Sequence, residues 1–390
     1  MSEAISAEQG QRLCIYTRAW RSSGAGLFAQ ELVAGIVDKG GDVTFVAPRA
    51  QDARFEEPRP RLRRLVPPHE QPGQGRISNI VRSLSRMALS VLFLLRARMT
   101  CRVFIVSIPD PLIVSVPALA LLRLTGARII FIAHDPLPHA WKLPAALRWL
   151  ERGMHGACYR LASAVAVLSE PSRTKMAEAF PSVRTPVCVI EHGVFVMGDP
   201  KSLRGDGLLL LFGTLRRNKG ILERMEGVLA AHAAGVPVRL VVAGGVHKEE
   251  QDYARAIEEC AARASDVIDL RLGYVDDDAL RDLLAASDAL LLPYTDFHSQ
   301  SGVALLAASN ARPLIASAAG GIGALMAEGM PSVTIAQPVS AQNVEAAITA
   351  FFATPTATWN TQAQRYLEHT LDVRSWQAIG AQYLALAARI

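Results

Sequence analysis

The sequence predicts an α/β protein built from two doubly wound, Rossmann-like domains that face a cleft. The chain has 390 residues, a length that suits two domains of about 150–200 residues each. Apolar runs of strand length alternate with helical patterns along the whole chain, which is typical of βαβ units in parallel sheets. A polar, glycine-containing stretch at 198–207 separates two such series of similar size and indicates an interdomain linker.

Predicted strands and helices alternate in both halves of the chain. The first half begins with a strand at 13–17 and an amphipathic helix at 28–40. Further strands are predicted at 42–48, 103–107, 127–134, 164–169 and 187–193, and a helix at 146–162. The second half has strands at 208–213, 238–244, 267–273, 289–294, 313–317 and 332–336, each followed by a helical stretch. The predicted domains are therefore 1–197 and 205–372, with a closing helix at 373–390.

The composition is that of a globular protein with a modest basic excess. Half of the residues are apolar and a fifth are charged, which excludes a disordered chain and a collagen. The formal net charge of +5 suits an anionic partner such as a nucleotide, nucleic acid or an acidic membrane. Five scattered cysteines and an N-terminus without an apolar signal segment favour buried thiols in the cytoplasm.

The segment 76–102 combines a strongly apolar helical run with six arginines: Arg76, Arg82, Arg86, Arg96, Arg98 and Arg102. The apolar run is about half the ~20 residues that a spanning helix needs. The segment could therefore lie in a membrane interface, with the arginines on lipid phosphates. An ordinary helix covering the sheet explains the same pattern, and both interpretations stay open.

A basic loop follows the first strand of the second half. Between Gly213 and Gly220 the sequence places Arg216, Arg217 and Lys219 on a loop expected to be exposed, just before a helix. Arginine gives forked hydrogen bonds to phosphate, lysine gives a point charge, and helix amides favour anions. This pattern predicts a phosphate clamp.

Three further constellations lie at predicted strand ends. Gly24 and Gly26 precede the first helix and permit close backbone approach, although they lack the third glycine of a dinucleotide fingerprint. His134 and Asp135 end a buried strand, with His139 nearby, and are candidates for proton transfer or for binding sugar hydroxyls. A loop that opens an apolar helix supplies a second anion or sugar cradle: Tyr294, Ser299, Gln300, Ser301 and Gly302.

The ordered set of these motifs resembles glycosyltransferase family 4, whose members have the GT-B arrangement. In the second half the resemblance is carried by FGTLRRNKGI, VVAGG, YVDDDALRDLLAASDALLLPY and SQSGVALLAASNARPLIASAAGG. In the first half it is carried by AHDPLPH, RLASAVAVLSE and VIEHGVF. The closing RSWQAIGAQYLALA resembles the family's C-terminal helix, which crosses back to the first domain. The resemblance implies an acceptor-binding first domain and a second domain that binds a nucleotide sugar.

The resemblance also implies roles for single residues. Arg216 and Lys219 match the pair that grips the donor diphosphate, and His134 matches the histidine near the transferred sugar. Gly24 and Gly26 match the glycine loop that faces the donor phosphates and the acceptor, and Ser301 with Gly302 matches the helix start at the phosphates. The family's pair of glutamates is missing, because its positions hold His298 and Leu306 in a Ser-Gly-Val variant.

The expected function is transfer of a sugar from a UDP- or GDP-sugar to a lipid-linked or oligosaccharide acceptor in bacterial surface-polysaccharide synthesis. Fixed cations are expected to replace a metal, with no cofactor and no nucleic acid as partner. Retention, with His134 on the donor sugar, is expected over inversion, for which Asp135 or His134 would be the base. The protein is expected on the inner face of the membrane. An inactive partner subunit and a nucleotide-sugar epimerase are the alternatives.

Overall fold

A computed structural model describes residues 12–18, 24–48, 57–67, 76–137, 141, 143–246, 250–295 and 300–390. The chain divides into two compact units. The first comprises Met1–Gly193 and Arg374–Ile390, and the second comprises Val194–Val373. Each unit contains a parallel sheet covered by helices.

The first unit contains a sheet of seven described strands. They are β1 (Leu13–Tyr16), β2 (Val43–Val46), β3 (Leu62–Leu65), β4 (Val103–Val106), β5 (Arg128–Ala133), β6 (Ala164–Val167) and β7 (Val187–Val189). Its described helices are α1 (Gly24–Asp38), α2 (Arg76–Arg98), α3 (Leu112–Leu124), α4 (Arg148–Leu161), α5 (Glu170–Ala179) and α13 (Trp376–Arg389). All strands are parallel, in the order β3-β2-β1-β4-β5-β6-β7. The order reverses at β1, as in a doubly wound sheet.

The second unit repeats this architecture with six described strands. They are β8 (Leu208–Phe212), β9 (Arg239–Gly244), β10 (Ile268–Leu272), β11 (Ala289–Leu292), β12 (Leu314–Ala316) and β13 (Ser332–Thr334). The helices are α6 (Ile221–Ala233), α7 (Gln251–Ala262), α8 (Asp277–Ala286), α9 (Gly302–Ala308), α10 (Gly320–Glu328), α11 (Ala341–Ala353) and α12 (Thr356–Arg374). The parallel order is β10-β9-β8-β11-β12-β13. The prediction of two Rossmann-like α/β domains is confirmed.

The central strands are apolar throughout because helices cover both faces of a doubly wound sheet. Every residue of β1, β4 and β11 is buried. Polar groups can therefore gather only where strands end. The carboxyl ends of neighbouring parallel strands meet at one edge of each sheet, which is where ligands bind in such folds.

Strand β3 was missed by the sequence analysis. It pairs with β2 at the edge of the sheet, and its sequence LRRL carries Arg63 on the exposed side. An edge strand has a neighbour on one side only and needs no continuous apolar run. Its sequence therefore lacks the pattern that identified the buried strands.

The stretch 198–207, expected to be an interdomain linker, belongs to the second unit and is hydrogen-bonded to other parts of it. The two carboxylate oxygens of Asp288 accept hydrogen bonds from the amides of Gly205 and Gly207, each at 2.8 Å. Arg312 donates to a main-chain carbonyl of the same stretch at 2.6 Å. The main chain of this stretch is thus held by side chains from elsewhere in the second unit.

Helix α13 packs on α1 at a point where glycines allow the backbones to approach closely. A Cβ atom on Gly35 would lie 1.9 Å from the carbonyl oxygen of Trp376, and one on Gly380 would lie 2.5 Å from the carbonyl carbon of Gly35. A Cβ atom on Gly193 would lie 2.6 Å from the indole ring of Trp376. These three glycines let the C-terminal helix close onto the first unit.

Helix α2 covers the sheet with one side and exposes an apolar outer side. Leu94 and Ala97 are buried in the core of the first unit. The exposed apolar side chains, each 53–58% accessible, are Ile80, Val81, Leu84 and Leu92. None of the helices in the described ranges combines the length and apolarity needed to cross a bilayer.

Two arginines of α2 that were assigned to lipid phosphates have protein partners instead. Arg86 is 6% exposed, and its Nη1 lies 3.0 Å from Oδ1 of Asp110. The same carboxylate accepts a hydrogen bond from the hydroxyl of Tyr16 at 2.5 Å, and Nε of Arg18 lies 3.7 Å from it. Arg98 donates to two main-chain carbonyls. The expectation for Arg86 is therefore wrong, because it anchors α2 from the inside.

Candidate functional site

The candidate residues form two clusters, one on the carboxyl edge of each sheet. Strands β8 and β11 are neighbours, so the loop after β8 lies beside the residues that follow β11. Strands β4 and β5 are neighbours in the first unit, which places Ser107 beside His134. Sheet topology thus gathers residues that are distant in sequence.

The loop after β8 forms a tight turn that presents Lys219. A 3₁₀ turn, Arg217–Lys219, is enclosed by Gly213 and Gly220, whose φ angles are +108° and +58°. Glycine suits these positions because positive φ costs it little. A Cβ atom on Gly213 would also lie 3.5 Å from Nζ of Lys219. The turn thereby brings the lysine over the sheet edge.

Lys219 lies in a positively charged and partly buried environment. Its Nζ is 5.4 Å from the ring centroid of Tyr294, within cation–π distance. Burial, followed by the charges of Arg224 and Arg216, lowers the pKa of Lys219 from 10.5 to about 8. Lys219 and Arg216 are both half-buried, whereas the sequence suggested an exposed loop. An anion bound here would relieve the repulsion among these cations.

Arg224 is a buried cation of this cluster that the sequence analysis missed. It is 1% exposed, and its Nη2 donates to the carbonyl oxygen of Lys219. Its guanidinium carbon lies 5.5 Å from the ring centroid of Tyr294, and burial lowers its pKa to about 10. A signal was present, since Arg224 falls on the apolar face of α6 formed by Ile221 and Val228.

Arg217 does not join Lys219. Its guanidinium carbon lies 4.7 Å from the ring centroid of Tyr253, and its amide donates to Oε2 of Glu250 at 2.7 Å. The hydroxyl of Tyr253 accepts from the amides of Ile221 (3.1 Å) and Leu222 (3.3 Å). The first amides of α6, expected to meet an anion, are therefore satisfied by a tyrosine.

The residues after β11 complete this cluster. Tyr294 is 2% exposed and shares a side-chain hydrogen bond with Ser301. Ser301 caps α9, its Oγ accepting a first-turn amide at 3.2 Å, and Gly302 is the exposed first residue of that helix. Gln300 is half-buried, and Ser299 lies outside the described residues. The structure thus brings Tyr294 and Ser301 to Lys219.

The cluster in the first unit is made of aromatic rings around His134. Nε2 of His134 is 2.8 Å from Oγ of Ser107. The ring of Phe28 meets His134 edge-on at 4.8 Å and His192 at 4.9 Å, and Trp376 lies 5.2 Å from Phe28. Sequence reasoning missed all of these partners, which come from α1, the β4 end, the β7 end and α13.

Both histidines of this cluster are neutral at neutral pH. Burial, followed by the charge of His192 and opposed by Asp135, lowers the pKa of His134 from 6.5 to about 4. Burial also lowers the pKa of His192 to about 4, against its hydrogen bond with the carbonyl of Gly193. A neutral imidazole can donate or accept a hydrogen bond without adding charge. Such a group suits the hydroxyls of a sugar.

The glycines of the first unit lie at the start of α1. Gly24 is its exposed first residue, and beyond its chain neighbours no atom of the described residues lies within 4 Å of a Cβ position there. Gly26 is buried two residues before Phe28, whose ring packs on His134. Asp135 is half-buried next to His134, and His139 lies outside the described residues.

Two further features concern possible metal ligands and the positions where the family's glutamates are missing. In the described part of the chain, no group of three or more His, Cys, Asp or Glu side chains is placed to hold a metal ion. Asp276 caps α8, with Oδ1 accepting a hydrogen bond from the amide of Ala279 at 2.8 Å. Leu306 is 6% exposed within the apolar core, and His298 lies outside the described residues.

Two family models match this chain in succession. The model of Glycosyltransferase Family 4 matches residues 22–196, and the model of Glycosyl transferases group 1 matches residues 206–353. Together they span most of both units.

The chain is also similar to a curated protein of Xanthomonas campestris, a GDP-mannose:glycolipid 4-beta-D-mannosyltransferase. The two are 26% identical over 198 residues, which are 50% of this chain and 51% of that protein. The chain thus spans about half the length of the curated relatives it matches.

Solved structures share the whole fold at low sequence identity. The Anabaena protein HepE, solved in complex with UDP and glucose, aligns with a TM-score of 0.71 and 17% identity, covering 98% of this chain and 100% of that one. The sucrose-phosphate synthase of Thermosynechococcus elongatus aligns with a TM-score of 0.72 and 18% identity, covering 97% and 98%.

Two parallel-sheet, Rossmann-like domains, each with its candidate residues on the carboxyl edge of its sheet, have the fold of the GT-B class. Within this class, the two family models identify the family. The chain belongs to the glycosyltransferases of the family 4 type.

Proposed function

We propose that the protein transfers a sugar from a nucleoside-diphosphate sugar to a lipid-linked acceptor. The observation that carries the proposal is the cation cluster of the second unit: Lys219 and Arg224 lie beside the ring of Tyr294, and the charge of Arg216 acts on Lys219. No described carboxylate lies within ion-pair distance of Arg224. A diphosphate would supply charge-assisted hydrogen-bond acceptors for these cations.

The same cations suit the chemistry of transfer. When the bond between sugar and diphosphate breaks, negative charge develops on the leaving phosphate, and fixed cations stabilise it. The proposed reaction therefore needs no metal ion. We expect transfer to continue in excess EDTA, and complete, reversible loss on chelation would contradict metal independence.

GDP-mannose is the first donor to test, because the Xanthomonas relative is named for it. UDP-glucose is the second, because HepE was solved with UDP and glucose. Binding of GDP, UDP and their sugars would be ranked by thermal shift and then by calorimetry. The transfer assay would follow nucleotide release with and without a glycolipid acceptor. Release that depends on the acceptor supports the proposal, and no binding of any nucleotide would sink it.

The first unit supplies the proposed contacts to the sugar. Neutral His134, oriented by Ser107, would hydrogen-bond the donor sugar in a retaining reaction. In an inverting reaction Asp135 would be the general base, because its half-buried carboxylate directly follows His134 in the chain. Retention stays the prediction from sequence. The anomeric configuration of the product, read by NMR coupling constants, decides between the two.

A membrane-bound acceptor agrees with the outer side of α2, which we propose binds an anionic bilayer. Its exposed apolar side chains include Ile80, Leu84 and Leu92. Exposed Arg96 and half-buried Arg82 lie on the same helix. Apolar side chains would enter the interface, and each arginine adds about 1 kcal/mol near anionic lipid.

Liposome pelleting tests this surface. Wild-type protein should pellet with anionic vesicles at low salt and detach at about 0.5 M NaCl, because salt screens the arginines. The variant Arg82→Ser/Arg96→Ser should pellet less, with Arg86 left intact since it is structural. The matched control removes two exposed arginines of the second unit, Arg255 and Arg263, by the same change. Equal loss in both variants would assign the effect to net charge alone.

An inactive partner subunit is the second candidate. It is favoured by Leu306, a buried apolar residue where the resembling family has a glutamate. Nucleotide binding without transfer to any acceptor would support that candidate. Formation of a donor isomer in the absence of acceptor would instead indicate an epimerase.

A further inference from the structure

We propose that Arg224 is a positioning residue of the donor site, which holds Lys219 in place and adds the charge that makes the site take up a diphosphate. This inference rests on the proposed function and extends it to a residue outside the predicted clamp. Arg224 would act through Lys219, without being required to touch the sugar.

The contacts show how Arg224 could position Lys219. Its Nη2 donates to the main-chain carbonyl oxygen of Lys219, which fixes the end of the 3₁₀ turn. Both cations use the ring of Tyr294, with Nζ of Lys219 at 5.4 Å and the guanidinium carbon of Arg224 at 5.5 Å from its centroid. Arg224 therefore holds the main chain of Lys219 by a hydrogen bond, and both cations contact the ring of Tyr294.

The charge of Arg224 is not neutralised by a protein ion pair. Arg224 is 1% exposed, and among the described residues its Nε has no hydrogen-bond partner and no carboxylate lies within ion-pair distance. A buried charge normally carries a partner, because desolvation is costly. An apolar side chain on this face of α6 would avoid that cost. The unneutralised charge is accounted for if an anion arrives with the substrate.

Donor binding should consequently depend on pH. The charged and titratable groups described around Lys219 are Arg216, Arg224, Tyr294 and Glu223. Because the pKa of Lys219 is lowered to about 8, it is charged below that pH and increasingly neutral above it. A bound diphosphate favours the charged form, so binding takes up a proton. Affinity should fall above about pH 8, by up to tenfold per pH unit.

Calorimetry with GDP and UDP from pH 7 to 9.5 tests the role of Arg224. Over this range the terminal phosphate, with a pKa of about 6, stays ionised. We expect Arg224→Met to weaken binding at pH 7 by about tenfold, the effect of one lost charge. Its pH midpoint should also move upward, because a cation that repels the charged form of Lys219 is gone. Arg224→Lys should restore the wild-type midpoint, since it keeps the charge.

Two further measurements make the result decisive. Arg217→Met, the same change on the same turn but at a side chain that lies on Tyr253, should keep the wild-type midpoint. The melting temperature of Arg224→Met should be unchanged or higher, because an apolar residue replaces an unpaired buried charge. A lower melting temperature with an unmoved midpoint would make Arg224 merely structural and overturn the inference. If wild-type protein binds neither nucleotide, the proposed function fails instead.

Discussion

Replacing Asp110 with asparagine tests how helix α2 is attached to the first unit. The carboxylate side chain is 4% exposed and faces Arg86, whose side chain is 8% exposed, across 3.0 Å. Asparagine keeps the shape and can still accept the hydrogen bond from Tyr16, so mainly the charge is lost. Removing one partner of a buried pair costs about 3–5 kcal/mol, because it leaves the other charge uncompensated. We expect the free energy of unfolding of the first unit to fall by that amount.

Urea unfolding in a Trp359→Phe background measures this loss. Trp359 is the single tryptophan of the second unit, so fluorescence then reports the first unit alone. The double variant Asp110→Asn/Arg86→Met should recover much of the loss, since it buries no unpaired charge. Arg96→Ser, an exposed change on the same helix, should alter stability by less than about 0.5 kcal/mol. A cost below about 1 kcal/mol for Asp110→Asn would refute the anchoring role, since exposed ion pairs contribute no more.

Three further predictions concern the two clusters and the closing helix. Lys219→Met should weaken nucleotide binding by roughly 1.5–3 kcal/mol in calorimetry, as a charge-assisted contact is lost; unchanged affinity would remove the lysine from the site. Gly35→Ala should lower the stability of the first unit by about 1–3 kcal/mol or more, because the new Cβ meets Trp376; a wild-type melting curve would count against the close crossing. Since the pKa values of His134 and His192 are lowered from 6.5 to about 4, the unfolded chain binds more protons between these limits. Stability should therefore fall as the pH drops from about 6.5 to 4, by up to roughly 1.4 kcal/mol per pH unit per histidine; a doubly substituted His→Gln variant with the same slope would contradict this.

The buried strands and the loops at their ends could be predicted because their signals are local. A strand buried on both faces is an apolar run, and its end is marked where polar residues and glycine begin. This is why Lys219, Tyr294 and His134 could be named as candidates from the sequence. Strand β3 has two charged residues in four and gives no such signal.

The partners of those candidates depend on contacts between distant parts of the chain. Phe28, His192 and Trp376 meet in space although they are far apart in sequence. Arg224 and Arg86 each look like ordinary charged helix residues until burial is known. The sequence supplies charge and periodicity. Whether an arginine is buried, and which groups surround it, is decided by the packing of the whole unit.

The return of α13 to the first unit has a practical consequence for dissecting the protein. Residues Val194–Val373 enter the chain as an insertion, because the polypeptide leaves the first unit at Gly193 and re-enters it at Arg374. The departure and re-entry points adjoin each other, since Gly193 lies against the indole of Trp376. A fragment that stops at residue 193 would expose the glycine-lined surface of α1 that α13 covers. Separate expression of the first unit therefore calls for a splice of Gly193 to Arg374 through a short linker, and truncation from the C-terminus damages the N-terminal unit first.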